Sequence, residues 1–210
     1  MNRPKTVSLD PPWPEKGGGK IKRGADKHYT VIKKKEDILK VILQSGEWPD
    51  WDDKEGAHCY MWVTNNYLLW GLWLLEALGF RYITTIVWVK TKEDWPSLKE
   101  IVDEAGGLTL NPISWAKVLK NALVTGLGQY FRSSHELVLF GVRGATLKPA
   151  TKDMVPTVFH APRPKEDGKR KHSKKPERIF EIIEATSPGP YREFFARAPR
   201  KGWSCWGNEV

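Results

Sequence analysis

The chain has 210 residues and a formal net charge of +9, with 40% hydrophobic and 28% charged residues. This length and composition suit a soluble globular protein with a sizeable core and exclude wholesale disorder. The two cysteines, Cys59 and Cys205, are too few for a disulfide framework or a zinc site, so no metal is expected. Eleven tryptophans and a basic charge favour a polyanionic partner with flat rings that aromatic side chains can stack on.

No targeting or membrane segment is evident in this sequence. The chain starts with Met1 and shows no apolar signal segment near its N-terminus. Its most apolar run, residues 67–78, is about a dozen residues long and contains Glu76, whereas a membrane span needs about 20 apolar residues. We therefore expect an intracellular, cytoplasmic protein that does not associate with membranes.

The first half of the sequence predicts alternating strands and helices. A short strand over Val7–Leu9 is expected to end before Pro11 and Pro12, because proline donates no hydrogen bond to a sheet. Strand, helix and strand then follow at the spacing of a βαβ unit, which predicts a parallel sheet. The remaining predicted elements here are helix Lys34–Gln44, strand Cys59–Thr64, an apolar core helix Asn66–Leu78 ended by Gly79, and strand Tyr82–Val89.

The second half gives weaker patterns. Residues 92–128 have no clear periodicity and are interpreted as a helical insertion. No internal repeat or linker divides the chain, so a single domain over residues 1–210 is expected. The predicted elements here are strand Glu136–Val142, an edge strand over Val155–His160, helix Pro176–Ala185 and strand Arg192–Ala196.

The first chemically distinctive segment directly follows the first strand. Asp10 stands where ligands bind in open α/β sheets, outside the carboxyl end of a strand. Pro12 has no N–H group, which leaves the Pro11 carbonyl with spare acceptor capacity beside the Asp10 carboxylate. Two acceptors, with Trp13 as a stacking plate, suit a planar amine whose two hydrogens must both be held. The alternative is that Asp10 caps a turn and Trp13 belongs to the core.

Read together with later segments, Asp10-Pro11-Pro12-Trp13 resembles the MT-A70 family of S-adenosylmethionine-dependent adenine-N6 methyltransferases. The resemblance implies an α/β, Rossmann-like class I methyltransferase fold with helices on both faces. It also implies a circular permutation, with the catalytic motif early and the cofactor motif late, and a small stand-alone protein of bacterial or phage type. The later segments are, in order, Met61–Asn65, Ile86–Thr91, His135–Gly144, His172–Glu177, Glu193–Arg197 and Gly202–Glu209.

The resemblance assigns roles to individual residues. Asp10, Pro11, Pro12 and Trp13 would form the catalytic motif, and Asp10 would also touch the amino group of the cofactor's methionine part. The other residues implied to bind S-adenosylmethionine are Lys175 at its carboxylate, Glu193 and Arg197 near the ribose, Asn208 at the ribose hydroxyls, and Glu209 near the adenine edge. The alternatives are a solvated charge for Lys175 and a frayed chain end for Asn208 and Glu209.

Two basic loops, residues 14–30 and 161–175, are expected to bind phosphates without reading sequence. In the first loop these contacts are predicted for Lys20, Lys22 and Arg23. Tyr29 resembles an aromatic turn of the family and would flank a flipped base opposite Trp13, the alternative being a packed loop tyrosine. No separate target-recognition domain is visible, so we expect short or loose selectivity, with a homodimer or a partner subunit as a route to target choice.

The expected function is transfer of a methyl group from S-adenosylmethionine to the N6 amine of adenine in nucleic acid, with DNA favoured over RNA. Alternative enzymatic functions are methylation of cytosine N4 or of adenine in RNA. A further alternative is a non-catalytic, nucleic-acid-binding subunit of an MT-A70 heterodimer. The intact Asp10–Trp13 motif and Lys175 argue against that last alternative.

Overall fold

The computed structural model describes residues 3–15, 31–52, 54–93, 122–126, 130–149, 154–166, 169–170, 174–208 and 210. None of the helices in these ranges has the length and apolar character that crossing a membrane requires. The elements, in chain order, are β1 (Thr6–Leu9), α1 (Lys35–Gln44), β2 (Ala57–Val63), α2 (Leu68–Ala77), β3 (Arg81–Thr91), β4 (His135–Arg143), β5 (Val158–Pro162), β6 (Lys165–Glu166), β7 (Lys169–Arg170), α3 (Arg178–Thr186), β8 (Tyr191–Phe194) and β9 (Trp203–Trp206). A single 3-10 turn, Asn65–Tyr67, precedes α2.

Every strand and helix predicted outside residues 92–128 is present within about three residues of its predicted bounds. Strands β6, β7 and β9 were not predicted from the sequence. Within the predicted helical insertion, residues 94–121 and 127–128 lie outside the described part of the chain.

Seven strands form one sheet, in the order β5-β3-β4-β2-β1-β8-β9. Strand β1 pairs in parallel with both β2 and β8, and β8 pairs in parallel with β9. Strand β4 pairs antiparallel with β2 and lies between β2 and β3. The prediction of a parallel sheet is confirmed for β2, β1, β8 and β9 and wrong at β4, a strand from later in the chain that inserts antiparallel inside the predicted βαβ unit.

The chain groups into two compact units. The first contains residues 1–87, 136–157 and 177–210, and the second contains residues 88–135 and 158–176. The expectation of a single methyltransferase domain over residues 1–210 stays a prediction.

In the first unit, one face of the sheet packs against α1 and α2. Because side chains alternate along a strand, Val7 and Leu9 of β1 point to the same face. They join a buried apolar cluster to which α1 contributes Ile38 and Ile42. The other fully or nearly fully buried members from the strands and α2 are Ala57, Cys59, Met61, Val63, Leu74, Leu75, Leu139 and Phe194. This cluster forms the core beneath β1, so β1 is fixed by burial as well as by pairing on both sides.

Helix α2 approaches the sheet closely through Gly71. A Cβ atom at this position would lie 2.9 Å from a methyl group of Val63 and 3.0 Å from one of Leu139. The helix ends at Gly79, whose φ of +84° is the left-handed conformation usual after a helix. The helix was expected to be a core helix, but its outer side is open, since Leu69 is 78% exposed.

The opposite face of the first unit's sheet packs against α3 and the segment that follows it. Ser187, directly after α3, is fully buried, and its hydroxyl lies 2.7 Å from both Nδ1 of His58 and the hydroxyl of Tyr60. Burial lowers the pKa of His58 to about 4 and raises the pKa of Tyr60 to about 12, so both groups are neutral at pH 7. The first unit therefore has helices on both faces, as the α/β prediction requires.

The second unit contains β5 and a small antiparallel ribbon formed by β6 and β7. The indole N–H of Trp88 donates a hydrogen bond to the Ala161 carbonyl at 2.9 Å, and Lys165 forms an ion pair with Glu93 at 2.6 Å. The prediction of a plain loop over residues 161–175 is wrong in part. That range holds the end of β5 as well as both ribbon strands.

Two glycines with left-handed backbone offer a matched test of packing in the first unit. A Cβ atom at Gly46 would meet nothing within 4 Å, whereas at Gly56 it would lie 2.0 Å from the Ala145 carbonyl oxygen. Both alanine variants carry a conformational cost of about 1 kcal/mol, and Gly56→Ala adds a clash worth about 1–3 kcal/mol. In urea unfolding we expect Gly56→Ala to lose clearly more free energy of unfolding than Gly46→Ala. Equal losses would contradict the close packing of Gly56 on Ala145.

Candidate active site

The catalytic-motif segment leaves the sheet at the carboxyl ends of parallel strands. Leu9, the last residue of β1, pairs with Met61 on β2 and with Phe194 on β8. The next residue, Asp10, is half-buried, and its backbone N–H donates to the Phe194 carbonyl at 3.4 Å. Asp10 therefore lies at the sheet edge where α/β folds place their ligands.

A tight turn shapes the two acceptors of the motif. The Trp13 backbone N–H donates to the Pro11 carbonyl at 2.8 Å, which closes a three-residue turn around Pro12. A carbonyl oxygen has two lone pairs, so the Pro11 carbonyl retains capacity for one more donor. The arrangement is compatible with the predicted pair of acceptors formed by the Asp10 carboxylate and the Pro11 carbonyl.

Trp13 is packed inside the protein. It is 4% exposed, its indole N–H donates to the Trp62 carbonyl at 2.9 Å, and its ring lies nearly parallel to that of Tyr67, with centroids 6.0 Å apart. This packing matches the alternative in which Trp13 belongs to the core. Stacking of Trp13 on a target base stays a prediction, and it would require the ring to leave this packing.

Residues just after β2 donate hydrogen bonds to Pro14 and Glu15, the residues that follow the motif. The Tyr67 hydroxyl donates to the Pro14 carbonyl at 2.6 Å. The Glu15 carboxylate accepts two further hydrogen bonds. One comes from the Thr64 hydroxyl, and the other comes from the Asn66 amide at 3.1 Å. Sequence reasoning missed these contacts, because residues 49 to 53 positions apart carry no local signal that they meet.

A second acidic side chain lies one strand away from Asp10. Glu193 belongs to β8, and its side chain is only 15% exposed. Burial raises the pKa of the Glu193 carboxyl from its ordinary 4.5 to about 7. The nearby Arg200 lowers that pKa, whereas Asp10 and Glu177 raise it. Glu193 therefore changes its ionisation near neutral pH, and its charge is coupled to that of Asp10.

Arg200 is held in place beside Glu193. Its terminal nitrogens contact the Glu177 carboxylate, and its guanidinium carbon lies 3.4 Å from the centroid of the Phe180 ring. The Nε atom lies 3.8 Å from Oε2 of Glu193. Sequence reasoning gave Arg200 no role, since the residue that faces it, Glu193, lies on a different element.

The backbone after β8 is strained and closely packed. Phe195 has a φ of +62°, a conformation that non-glycine residues rarely adopt and that often marks functional sites. The Ala196 N–H donates to the Trp206 carbonyl at 3.0 Å, and a Cβ atom on Gly207 would lie 2.2 Å from the Ala196 carbonyl oxygen. This close approach brings the chain segments that carry Arg197 and Asn208 together.

The predicted site residues thus divide into three groups. In the first unit, the sheet edge brings together Asp10, Glu193 and the segments of Arg197 and Asn208. Lys175 is half-buried and belongs to the second unit. The residues that lie outside the described part of the chain are Lys20, Lys22, Arg23, Tyr29 and Glu209.

With this geometry established, comparison with known proteins identifies the family. The MT-A70 family model matches residues 97–209, just over half of the chain. The chain belongs to the MT-A70 family. The matched range includes Lys175, Glu193, Arg197 and Asn208 and begins well after Asp10–Trp13, so the role of the early motif depends on its own geometry.

Two plant proteins named as MT-A70-like N(6)-adenosine-methyltransferases are similar to this chain. One, from Medicago truncatula, is 25% identical over 155 residues, covering 72% of this chain and 20% of that protein. The other, from Oryza sativa subsp. japonica, is 25% identical over 155 residues, covering 72% of this chain and 17% of that protein. The chain therefore spans about a fifth of the length of these relatives. The predicted family and the Rossmann-like α/β fold are confirmed, while the circular permutation stays a prediction.

The raised pKa of Glu193 predicts a specific pH dependence of stability. Between about pH 4.5 and pH 7 this group is protonated in the folded protein and ionised in the unfolded chain, so its stabilising contribution falls as pH rises. The loss across this window is on the order of 3 kcal/mol at most. We expect the free energy of unfolding of wild type minus that of Glu193→Gln to decrease as pH rises over this range. The exposed Glu181→Gln variant is the control, and a flat difference for Glu193→Gln would contradict the burial described here.

Proposed function

We propose that this MT-A70 chain transfers a methyl group from S-adenosylmethionine to the N6 amine of adenine in nucleic acid. The observation that carries the proposal is the placement of Asp10 and its neighbouring Pro11 carbonyl beside Glu193, at the carboxyl ends of two paired parallel strands. Family membership supports the reaction class. The names of the two plant relatives support adenosine as the methylated nucleoside.

The acceptors at this edge fit the polar groups of S-adenosylmethionine. The Glu193 carboxylate can accept hydrogen bonds from two neighbouring ribose hydroxyls, a common use of acidic residues in nucleotide-binding α/β folds. The Asp10 carboxylate can accept from the ammonium group, and Asn208 offers an amide for a ribose hydroxyl. Pairing of Lys175 with the cofactor carboxylate, and roles for Arg197 and Glu209, stay predictions from the family resemblance.

The Asp10–Pro11 pair explains how a poor nucleophile becomes reactive. The lone pair of an exocyclic base nitrogen is delocalised into the ring, and holding both amine hydrogens out of the ring plane restores its availability. The Asp10 carboxylate and the free lone pair of the Pro11 carbonyl are suited to accept one hydrogen each. Bound S-adenosylmethionine supplies an electrophilic methyl group. As the bond from the methyl carbon to the nitrogen forms, the bond from that carbon to sulfur would break, and the sulfur would keep its electron pair as a neutral thioether. Asp10 would stabilise the positive charge that the nitrogen gains, and the surplus proton would pass to water or to Asp10.

Nucleic acid is the proposed substrate, with DNA as the expected form. The net charge of +9 favours a polyanion. Phosphate contacts by Lys20, Lys22 and Arg23 and a base contact by Tyr29 remain part of this proposal as predictions. Short or loose selectivity, and target choice through a homodimer or a partner subunit, also stay predictions.

The proposal is tested by incubating the protein with labelled S-adenosylmethionine and matched DNA or RNA oligomers, single- and double-stranded, followed by nucleoside analysis. We expect label in N6-methyl-2′-deoxyadenosine. Label in N6-methyladenosine would support the proposed reaction but show that the substrate is RNA and not DNA. Label in N4-methylcytosine would overturn adenine as the target. Binding of nucleic acid without any methylation would favour the partner-subunit alternative.

The Asp10→Asn variant separates catalysis from nucleic-acid binding. Asparagine keeps the shape but loses the charge and presents an amide that can face the amine hydrogens. Loss of one preorganised electrostatic partner typically lowers kcat by about 10²- to 10³-fold. We expect a decrease of that size in single-turnover methylation, with nucleic-acid affinity unchanged or slightly higher. The isosteric control is Asp37→Asn, at a half-buried carboxylate of α1. Activity of Asp10→Asn within about threefold of wild type would remove Asp10 from the chemistry.

A further inference from the structure

The segment that carries the two proposed amine acceptors has few backbone donors of its own. Residues 10–15 include Pro11, Pro12 and Pro14, and proline has no N–H group. Such a segment cannot be fixed by a regular ladder of backbone hydrogen bonds. Its position therefore comes from side-chain contacts, from the few backbone N–H groups that remain, and from the Ile32 N–H, which donates to the Pro12 carbonyl at 3.1 Å.

Glu15 supplies the contact at the far end of this segment. One carboxylate oxygen accepts the Thr64 hydroxyl, and the other accepts the Asn66 amide at 3.1 Å. Two different donors, one on each oxygen, fix both the position and the orientation of a carboxylate. Hydrogen bonds to an ionised acceptor are also stronger than those between neutral groups.

Backbone hydrogen bonds link Glu15 to the acceptors themselves. The Glu15 N–H donates to the Trp13 carbonyl at 2.8 Å, and the Trp13 N–H donates to the Pro11 carbonyl at 2.8 Å. These two hydrogen bonds connect Glu15, through two consecutive turns, to the Pro11 carbonyl next to Asp10. Trp13 and Pro14 are held between these points by the Trp62 carbonyl and the Tyr67 hydroxyl.

We propose that Glu15 is a positioning residue for methyl transfer. Its carboxylate, held by Thr64 and Asn66, fixes the Pro11 carbonyl relative to Asp10, so that both acceptors are in place before the amine binds. The inference rests on the proposed function, since it assigns Glu15 to the same site. Preorganisation of this kind matters because a displacement of about 1 Å at a reacting group can cost roughly 100-fold in rate.

The variants that test this inference differ in which contacts they keep. Glu15→Ala removes both hydrogen bonds and should lower kcat at least about tenfold. Glu15→Gln keeps an oxygen for Thr64, and a flipped Asn66 amide can accept from its NH₂ group, so kcat should stay within about threefold of wild type. Glu55→Ala is the matched control, because it removes an exposed carboxylate paired with Arg3 at 3.0 Å.

Two measurements distinguish positioning from a purely structural role. The Kd for S-adenosylmethionine and the Tm of Glu15→Ala should stay close to wild type while kcat falls. The proposal would be overturned if Kd rose while Tm and kcat fell in parallel. It would also be overturned if Glu15→Gln did not restore kcat, or if kcat were unchanged in Glu15→Ala.

Amide hydrogen exchange tests the same idea without catalysis. In Glu15→Ala the backbone amides at positions 13 and 15 should exchange faster than in wild type, whereas amides in β1 should be unchanged. Unchanged exchange at positions 13 and 15 would overturn the proposal even if the enzyme is active. A wild-type protein that methylates no nucleic acid would contradict the proposed function, and the exchange experiment would still decide whether Glu15 fixes the segment.

Discussion

Parallel pairing of β1 on both sides is the constraint on which the rest of the site depends. Leu9 is held by Met61 on one side and Phe194 on the other, and its side chain is fully buried. Because β1 and β8 end level with each other and β2 ends two residues further on, the residues that follow these parallel strands lie at one edge of the sheet. Asp10, the turn after β2 and the strained residue Phe195 are neighbours for this reason alone. A four-residue strand can carry this role because both neighbours and the core beneath it fix its register.

Under the proposed function, the charges of Asp10 and Glu193 are complementary to those of the cofactor. Burial disfavours a negative charge on Glu193, and the charge of Asp10 adds to that effect. A ligand that carries positive charge near Asp10 and hydroxyl donors near Glu193 offsets both penalties at once. S-adenosylmethionine has a sulfonium and an ammonium group as well as a ribose diol, so its binding should favour ionised Glu193. Arg200, held by Glu177 and Phe180, limits the penalty when no ligand is bound.

Local signals predicted most of the elements, whereas contacts between distant segments were not predicted. Gly79 ended α2 as expected, because a left-handed glycine after an apolar helix is a property of a few adjacent residues. The insertion of β4 between β2 and β3 could not be seen in this way, since strand order depends on contacts among distant segments. The same limit applies within the site. The position of Asp10 after a short strand was readable, but the contacts of Glu15 with Thr64 and Asn66 were not.

The packing of Trp13 shows a second limit on what the sequence can predict. Composition and motif suggested an aromatic plate for a base, whereas the structure packs its ring against Tyr67 and uses its N–H group to reach the Trp62 carbonyl. A tryptophan offers both an apolar surface and a single donor, and either use is consistent with its place in the sequence. Only the three-dimensional neighbours distinguish an anchor from a binding surface.

The buried Ser187 hydroxyl constrains which groups donate and which accept hydrogen bonds on the other face of the sheet. It lies within hydrogen-bond distance of both His58 and Tyr60 but has only one proton to give. If that proton points to Nδ1 of His58, Tyr60 must donate to Ser187, and the imidazole carries its hydrogen on Nε2. If it points to Tyr60, His58 must carry its hydrogen on Nδ1. The tautomer of a histidine on β2 and the direction of a tyrosine hydroxyl two residues away are therefore coupled through one serine on the segment after α3, while Thr186 offers that tyrosine hydroxyl a second partner.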